Sequence, residues 1–192
     1  DKQEKAAAVL EAALGYFEGD EKLELLFELA DVYDDYENFD KVFDCLKIIL
    51  EMDPNNEEAL YKICFWTDFT GRNEESIKLH QKIIDEYPYN EIAWFNLAAA
   101  FQGLKLYEKA IDAYQYAITI DEKFDYAYRN MGDAYLRLRK YKEAIDVYKE
   151  INQKYDITEA QVNLARCNYF LQNYLFLEQI VCHYLNILYF SD

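Results

Sequence analysis

Hydrophobic and polar positions along this chain follow the period of a helix, and the helical pattern itself returns every 34 residues. Leu60, Trp94 and Tyr128 share one register position; Ile63, Leu97 and Met131 share the next; Cys64, Ala98 and Gly132, then Thr67, Phe101 and Tyr135, complete the set. At about 100° per residue these four positions fall on one arc of a helix, so that arc is expected to be buried. A second amphipathic stretch follows in each period. It opens with Ser76, Ala110 and Ala144, each trailed by isoleucine (Ile77, Ile111, Ile145), and carries His80, Tyr114 and Tyr148 one turn later. One step back along the chain, the same register holds Leu26, Leu29, Ala30, Tyr33, Val42 and Leu46. The two prolines, Pro54 and Pro88, stand the same 34 residues apart. The pattern predicts two helices per period, with the small residues Ala30, Cys64, Ala98, Gly132 and Ala165 where the paired helix comes closest.

These periods run over residues 23–56, 57–90, 91–124 and 125–157. A divergent fifth spans 158–192, opening at Thr158 with Leu164, Ala165 and Tyr174 and placing Leu177 where a small residue is expected. The combination of a bulky residue, a leucine-like and a small residue, an aromatic, and a small residue opening the second helix resembles the tetratricopeptide repeat. Trp94, Leu97, Ala98, Phe101, Tyr107, Ala110, Tyr114 and Ala117 carry that resemblance most fully, with Gly71 at an inter-helix turn and Asp53-Pro54-Asn55-Asn56 as a closing phrase. The resemblance implies an all-α fold, a right-handed superhelix (solenoid) of helix-turn-helix repeats forming one domain over residues 1–192. No repeat can bury its apolar face alone, so neighbours stack. Within residues 1–22, Ala8, Ala12 and Gly15 fall in step with a second helix. Lys2 to Phe17 is therefore the closing helix of a preceding repeat or an N-terminal cap, and both readings stand.

Composition changes the picture mainly by exclusion. With 52% hydrophobic and 17% aromatic residues, five glycines and two prolines, there is ample material for packing and little to break helices. No run approaches the roughly 18 apolar residues of a membrane span. No signal peptide is visible, although the chain begins at Asp1 without a methionine. The cysteines Cys45, Cys64, Cys167 and Cys182 show no CxxC spacing and no partnering histidines, which favours small buried thiols and a reducing, cytoplasmic location. His80 stands in a core register and His183 in an apolar tail. Without a catalytic base, a nucleophile motif, a phosphate loop or a metal set, neither an enzyme nor a bound cofactor is expected.

The net charge of −17 is unevenly placed. Residues 1–60 hold 18 acidic and 5 basic residues (−13), whereas residues 61–192 hold 19 and 15 (−4). Nucleic-acid phosphates would be repelled. The acidity either keeps the array soluble or steers basic partners, and composition leaves both open.

In tetratricopeptide arrays, the face opposite the buried arc lines a peptide-binding concave groove. The resemblance therefore implies groove positions at Asp31, Asp34 and Asp35, then Tyr61, Phe65 and Phe69, then Phe95, and finally Tyr126, Arg129, Arg137 and Arg166. The aromatics Tyr61, Phe65, Phe69, Phe95 and Tyr126 are not required by the helix-pair core. They mark an interaction surface or pack on a neighbouring helix. Asn96, Asn130 and Asn163, at the groove edge, match a ladder that holds a peptide backbone in some family members. The family's carboxylate clamp is absent, since Phe27 and Asp31, Tyr61 and Phe65, or Phe95 and Ala99 stand where lysine and asparagine are needed. Arg129, Arg137 and Arg166 are candidates for an acidic side chain or a terminal carboxylate.

The tail from Asn173 to Phe190 is apolar nearly all round, with Glu178 its one acidic residue. Terminal repeats normally present a polar outer face. The tail therefore points to a homodimer through the C-terminal helix, or to further repeats beyond it. The sequence as a whole reads as a non-catalytic scaffold for a protein or peptide partner, with no nucleic-acid or membrane partner. The alternatives are a regulatory or targeting module of a larger protein and a self-associating structural module.

Overall fold

A computed structural model describes residues 2–155, 161–172 and 175. The chain divides into two compact units, Asp1–Glu122 and Lys123–Asp192. Among the described residues every regular element is a helix. The first unit contains α1 (Lys2–Ala13), α2 (Gly19–Asp35), α3 (Phe39–Met52), α4 (Glu57–Thr70), α5 (Asn73–Glu86), α6 (Glu91–Gly103) and α7 (Tyr107–Ile120). The second contains α8 (Asp125–Arg137), α9 (Tyr141–Tyr155) and the helical residues 161–172.

One backbone device recurs at the 34-residue step. Each first helix ends in a residue of left-handed conformation: Glu37 (φ 62°), Gly71 (φ 70°), Lys105 (φ 59°) and Arg139 (φ 59°). At three of them a pair of hydrogen bonds closes the turn, as when Lys105 N donates to Gln102 O and Leu106 N to Phe101 O. Glu37 and Asn38, and Arg139 and Lys140, repeat that pattern, which satisfies carbonyls orphaned at a helix end. At the other junction, Asn56 and Asn90 cap α4 and α6 by accepting from Ala59 N at 3.0 Å and Ala93 N at 2.7 Å.

In the first unit α2 packs on α3, α6 on α7, and α4 on α3 and α6, while α1 lies on α2. Leu26, Leu29, Ala30 and Tyr33 of α2, and Leu60, Ile63 and Thr67 of α4, are buried on the expected arcs, whereas Cys64 is half-buried and Ala59, off the expected positions, is buried. The register of α1 differs from expectation. Ala8 and Ala12 are exposed, and the face turned inward carries Ala7 with Leu10 and Leu14. The leucines bury more apolar surface than the alanines, so they choose the face. Tyr33 Oη donates to Glu11 across this contact, and Lys41 Nζ reaches the same carboxylate at 3.3 Å.

In the second unit the paired helices meet at Gly132. A Cβ there would lie 2.6 Å from Cζ of Tyr148, whose ring is fully buried and whose hydroxyl donates to Asp133 Oδ1 at 2.7 Å. Tyr128 and Lys154 add a second tie through Glu150 Oε1, at 2.9 Å each. The fifth repeat departs from the expected arc. Ala165 is exposed and Leu164 half-buried, while Cys167 is buried. The residues that would supply a covering second helix lie outside the described ones, as does nearly all of the tail from Asn173 to Phe190 on which the dimer expectation rests.

Candidate functional site

Helix α4 is apolar on two faces. Its inner arc is buried, yet Tyr61, Phe65 and Phe69, spaced four residues apart, form a stripe on the outer side and stay 59, 59 and 58% exposed. Phe69 packs edge-on to Phe39 at 4.7 Å between ring centroids, and Trp66 stacks on Phe39 at 5.2 Å. Phe65 meets Trp66 at 4.8 Å. Four rings from α3 and α4 thus support one another while two of them remain open to solvent. Phe39 and Trp66 belong to this cluster although neither stands at a groove position. Trp66 lies one residue beside the groove position Phe65, whereas Phe39 stands at the register position of Tyr107 and Tyr141; the contact between α3 and α4 brings the two rings together.

Glu57, Glu91 and Asp121 lie near the Tyr61 end of the stripe, and Asp68 precedes Phe69 on the same helix. Lys62 joins α2 to α4, its ammonium 5.2 Å from the Phe27 ring centroid, 2.8 Å from Glu58 and 3.8 Å from Asp31. Asp31 therefore already has a cation, whereas Asp34 and Asp35 stand exposed on the same helix, as does Asp68 on α4. Burial, followed by the charges of Glu91, Glu57 and Asp121, raises the Tyr61 phenol above its ordinary pKa.

Two expected groove residues turn inward. Phe95 is half-buried against Tyr114 of α7, at 5.6 Å, so it serves the α6–α7 pair. Asn96 is only 2% exposed. Its amide donates to Leu60 O of α4 at 2.7 Å and faces His80 Nε2 of α5 at 3.2 Å. His80 Nδ1 lies 2.8 Å from Ser76 O, so the imidazole carries its proton on Nδ1 and accepts from Asn96 on Nε2. Burial lowers the His80 pKa to about 4. Asn96 is accordingly a clamp joining α4, α5 and α6, and it is not at the edge of a groove.

In the second unit Tyr126 is 59% exposed, and Arg129 lies over it at 5.1 Å while bonding to Asp125. The Arg129 guanidinium is thus already engaged. Asn130 and Asn163 are half-buried, whereas Arg137 and Arg166 are exposed. The two units also differ in charge. Residues 1–122 hold 28 acidic and 11 basic residues, a net of −17; residues 123–192 hold 9 of each.

Cys45 and Cys167 are buried and Cys64 half-buried, all three as free thiols. Burial pushes the thiols of Cys45 and Cys64 up to about 12, so neither is a ready nucleophile. Among the described residues there is no cluster suited to a metal ion, and no helix is long and apolar enough to cross a membrane.

Two models of the tetratricopeptide repeat match the chain, one over residues 92–124 and the other over residues 127–158. Among solved structures, a crystal structure of MamA is similar with a TM-score of 0.61 at 23% identity, over 80% of this chain and 89% of that one. MamA from Desulfovibrio magneticus RS-1, residue 41 to its end, gives a TM-score of 0.56 at 17% identity, over 80% of this chain and 94% of that one. A thermophilic TPR protein of Thermus thermophilus gives 0.60 at 16% identity, over 78% and 82%. At such identities the likeness is one of fold. No curated protein matches the sequence.

Proposed function

The chain is a tetratricopeptide-repeat protein, and from that premise we propose that it is a non-catalytic scaffold whose first unit docks a basic, apolar-anchored peptide segment of a partner protein. The observation that carries this reading is the stripe Tyr61, Phe65 and Phe69, three rings more than half exposed on one helix. Large apolar groups left open together mark interaction surfaces, and aromatic anchors dominate binding energy where they occur. The exposed carboxylates Asp34, Asp35 and Asp68, in a unit of net charge −17, favour a partner rich in lysine or arginine. Aromatic faces beside carboxylates suit such cations twice, by ion pairing and by cation–π contact. In the second unit, Tyr126, Asn130 and Asn163 offer further polar and aromatic contacts to a protein partner. Among the described residues Cys45, Cys64 and Cys167 are free thiols, which fits residence in a reducing cytoplasm.

Selection from a displayed random-peptide library against the purified chain tests the proposal. Peptides combining Lys or Arg with an aromatic or leucine are expected to enrich, and their affinity should fall as salt rises. The double variant Phe65→Ala, Phe69→Ala should lose about 30-fold or more in affinity with an unchanged far-ultraviolet circular dichroism spectrum. Selection of the same peptides with equal affinity by the double variant would place the docking surface elsewhere.

A further inference from the structure

The second unit holds a cavity of about 300 Å³ between the end of α8, the start of α9 and the helical residues 161–172. Three of its lining residues are arginines: Arg137 from the last turn of α8, Arg139 from the turn to α9, and Arg166. The apolar wall is Leu136, Tyr141 and Phe170. Phe170 stacks on Tyr141 at 5.8 Å, and the Arg166 guanidinium lies 6.0 Å from the Phe170 ring centroid. Arg139 sits at the left-handed position of the turn, where its amide donates to Leu136 O at 3.0 Å, so the root of that side chain is fixed by the backbone. Asp133, the one carboxylate of the lining, accepts from the Tyr148 hydroxyl at 2.7 Å. Among the described residues none of the three arginines is ion-paired.

Three guanidinium groups against one carboxylate leave a local surplus of two positive charges in a unit whose own charges cancel. A single carboxylate would neutralise half of that surplus. A phosphomonoester carries about −1.5 to −2 at neutral pH and offers three acceptor oxygens. Arginine's planar fork matches phosphate oxygens bidentately. We infer that this cavity is a phosphomonoester site, with Arg137, Arg139 and Arg166 gripping the phosphate and Phe170, Tyr141 and Leu136 covering the group that bears it. The shared chemistry has two sources, a phosphorylated side chain and a small free phosphate. This site is independent of the aromatic stripe on α4.

Isothermal titration calorimetry on the full chain tests the inference with three probes: inorganic phosphate, a short peptide carrying phosphoserine beside a leucine, and the same peptide with glutamate in place of phosphoserine. The phosphoserine peptide is expected to bind at least about tenfold more tightly than the glutamate peptide, and inorganic phosphate should compete with it. Arg137→Gln and Arg166→Gln should each weaken binding about tenfold, the size expected for one charge-assisted hydrogen bond. Affinity should also fall below about pH 6 as the phosphate regains a proton. Competition by inorganic phosphate with no added affinity from the peptide would identify a free phosphate as the ligand and uphold the site. Equal affinity for the glutamate peptide, no heat from any probe, or unaltered binding by both variants would overturn it.

Discussion

The second and fourth repeats follow one sequence pattern and close to different extents. In the fourth, α8 and α9 lie against each other because Gly132 has no side chain and the Tyr148 ring fills the space above it. In the second, Cys64 occupies the glycine's position and His80 the tyrosine's, and α4 and α5 touch far less than α8 and α9 do. The polar His80 is held by Asn96 from the next helix pair, which also takes a carbonyl of α4. One pair is therefore shut by ring packing and hydrogen bonds within the repeat, the other propped by hydrogen bonds borrowed from a neighbour. The small residue and the residue facing it decide how near two helices can approach, and the pattern alone does not.

The largest effect is expected from breaking the closed pair. Tyr148→Ala removes a fully buried ring and leaves Asp133 without its donor. Truncations of this kind cost about 3–5 kcal/mol, and urea unfolding followed by circular dichroism should show a correspondingly lower midpoint. A shift equivalent to less than about 1 kcal/mol would mean that Gly132 and Tyr148 do not hold α8 and α9 together.

Acid should act next, and on the propped pair. His80 titrates at about 4 in the fold against 6.5 when unfolded. Below 6.5 the unfolded chain binds the extra proton first, so stability is fully present above that pH and is lost progressively as the pH falls to about 4. The difference corresponds to about 3 kcal/mol. A protonated Nε2 would turn a donor toward the donor amide of Asn96, and flipping that amide would deprive Leu60 O of its partner. The carboxyls of Glu11, Glu75 and Glu150 are held low chiefly by hydrogen bonds from Tyr33, Arg72 and Lys154 respectively, so their contribution fades only below the usual carboxylate range. Unfolding between pH 7 and pH 5 should accordingly steepen in the wild type and be nearly flat in His80→Gln. An equal slope in both proteins would remove His80 as its cause.

The smallest effect concerns what the repeats share. Lys105 takes the left-handed conformation that Gly71 adopts one repeat earlier. A side chain in that conformation costs about 1–2 kcal/mol, partly offset by the greater freedom glycine has when unfolded. Lys105→Gly should therefore raise stability by about 0.5–1 kcal/mol, and Gly71→Ala should lower it by a similar amount. A lower thermal midpoint for Lys105→Gly would show that its side chain does more than occupy a turn.

What the sequence determined by itself is the periodic part: two helices per 34 residues, the inward arcs of α2, α4, α6 and α8, and the small residue where Tyr148 meets Gly132. These follow from spacing, because a helix converts interval into direction and burial sorts apolar from polar. That Tyr61, Phe65 and Phe69 lie off the buried arc of α4 was legible for the same reason, whereas their exposure was not. The sequence did not reveal which off-arc residues a neighbouring helix would claim. Phe95 reads like Phe65 along the chain, yet Tyr114 half-covers one while the other stays open. Asn96 reads like Asn130 and Asn163, but among the described residues it is Asn96 that meets a histidine and a carbonyl from two other helices. Phe39 and Trp66 joined the aromatic cluster, and three arginines met at one cavity, through contacts between elements that spacing within any one helix does not encode. Direction on a helix is a local property, whereas occupancy of the space it points into depends on what the rest of the chain brings there.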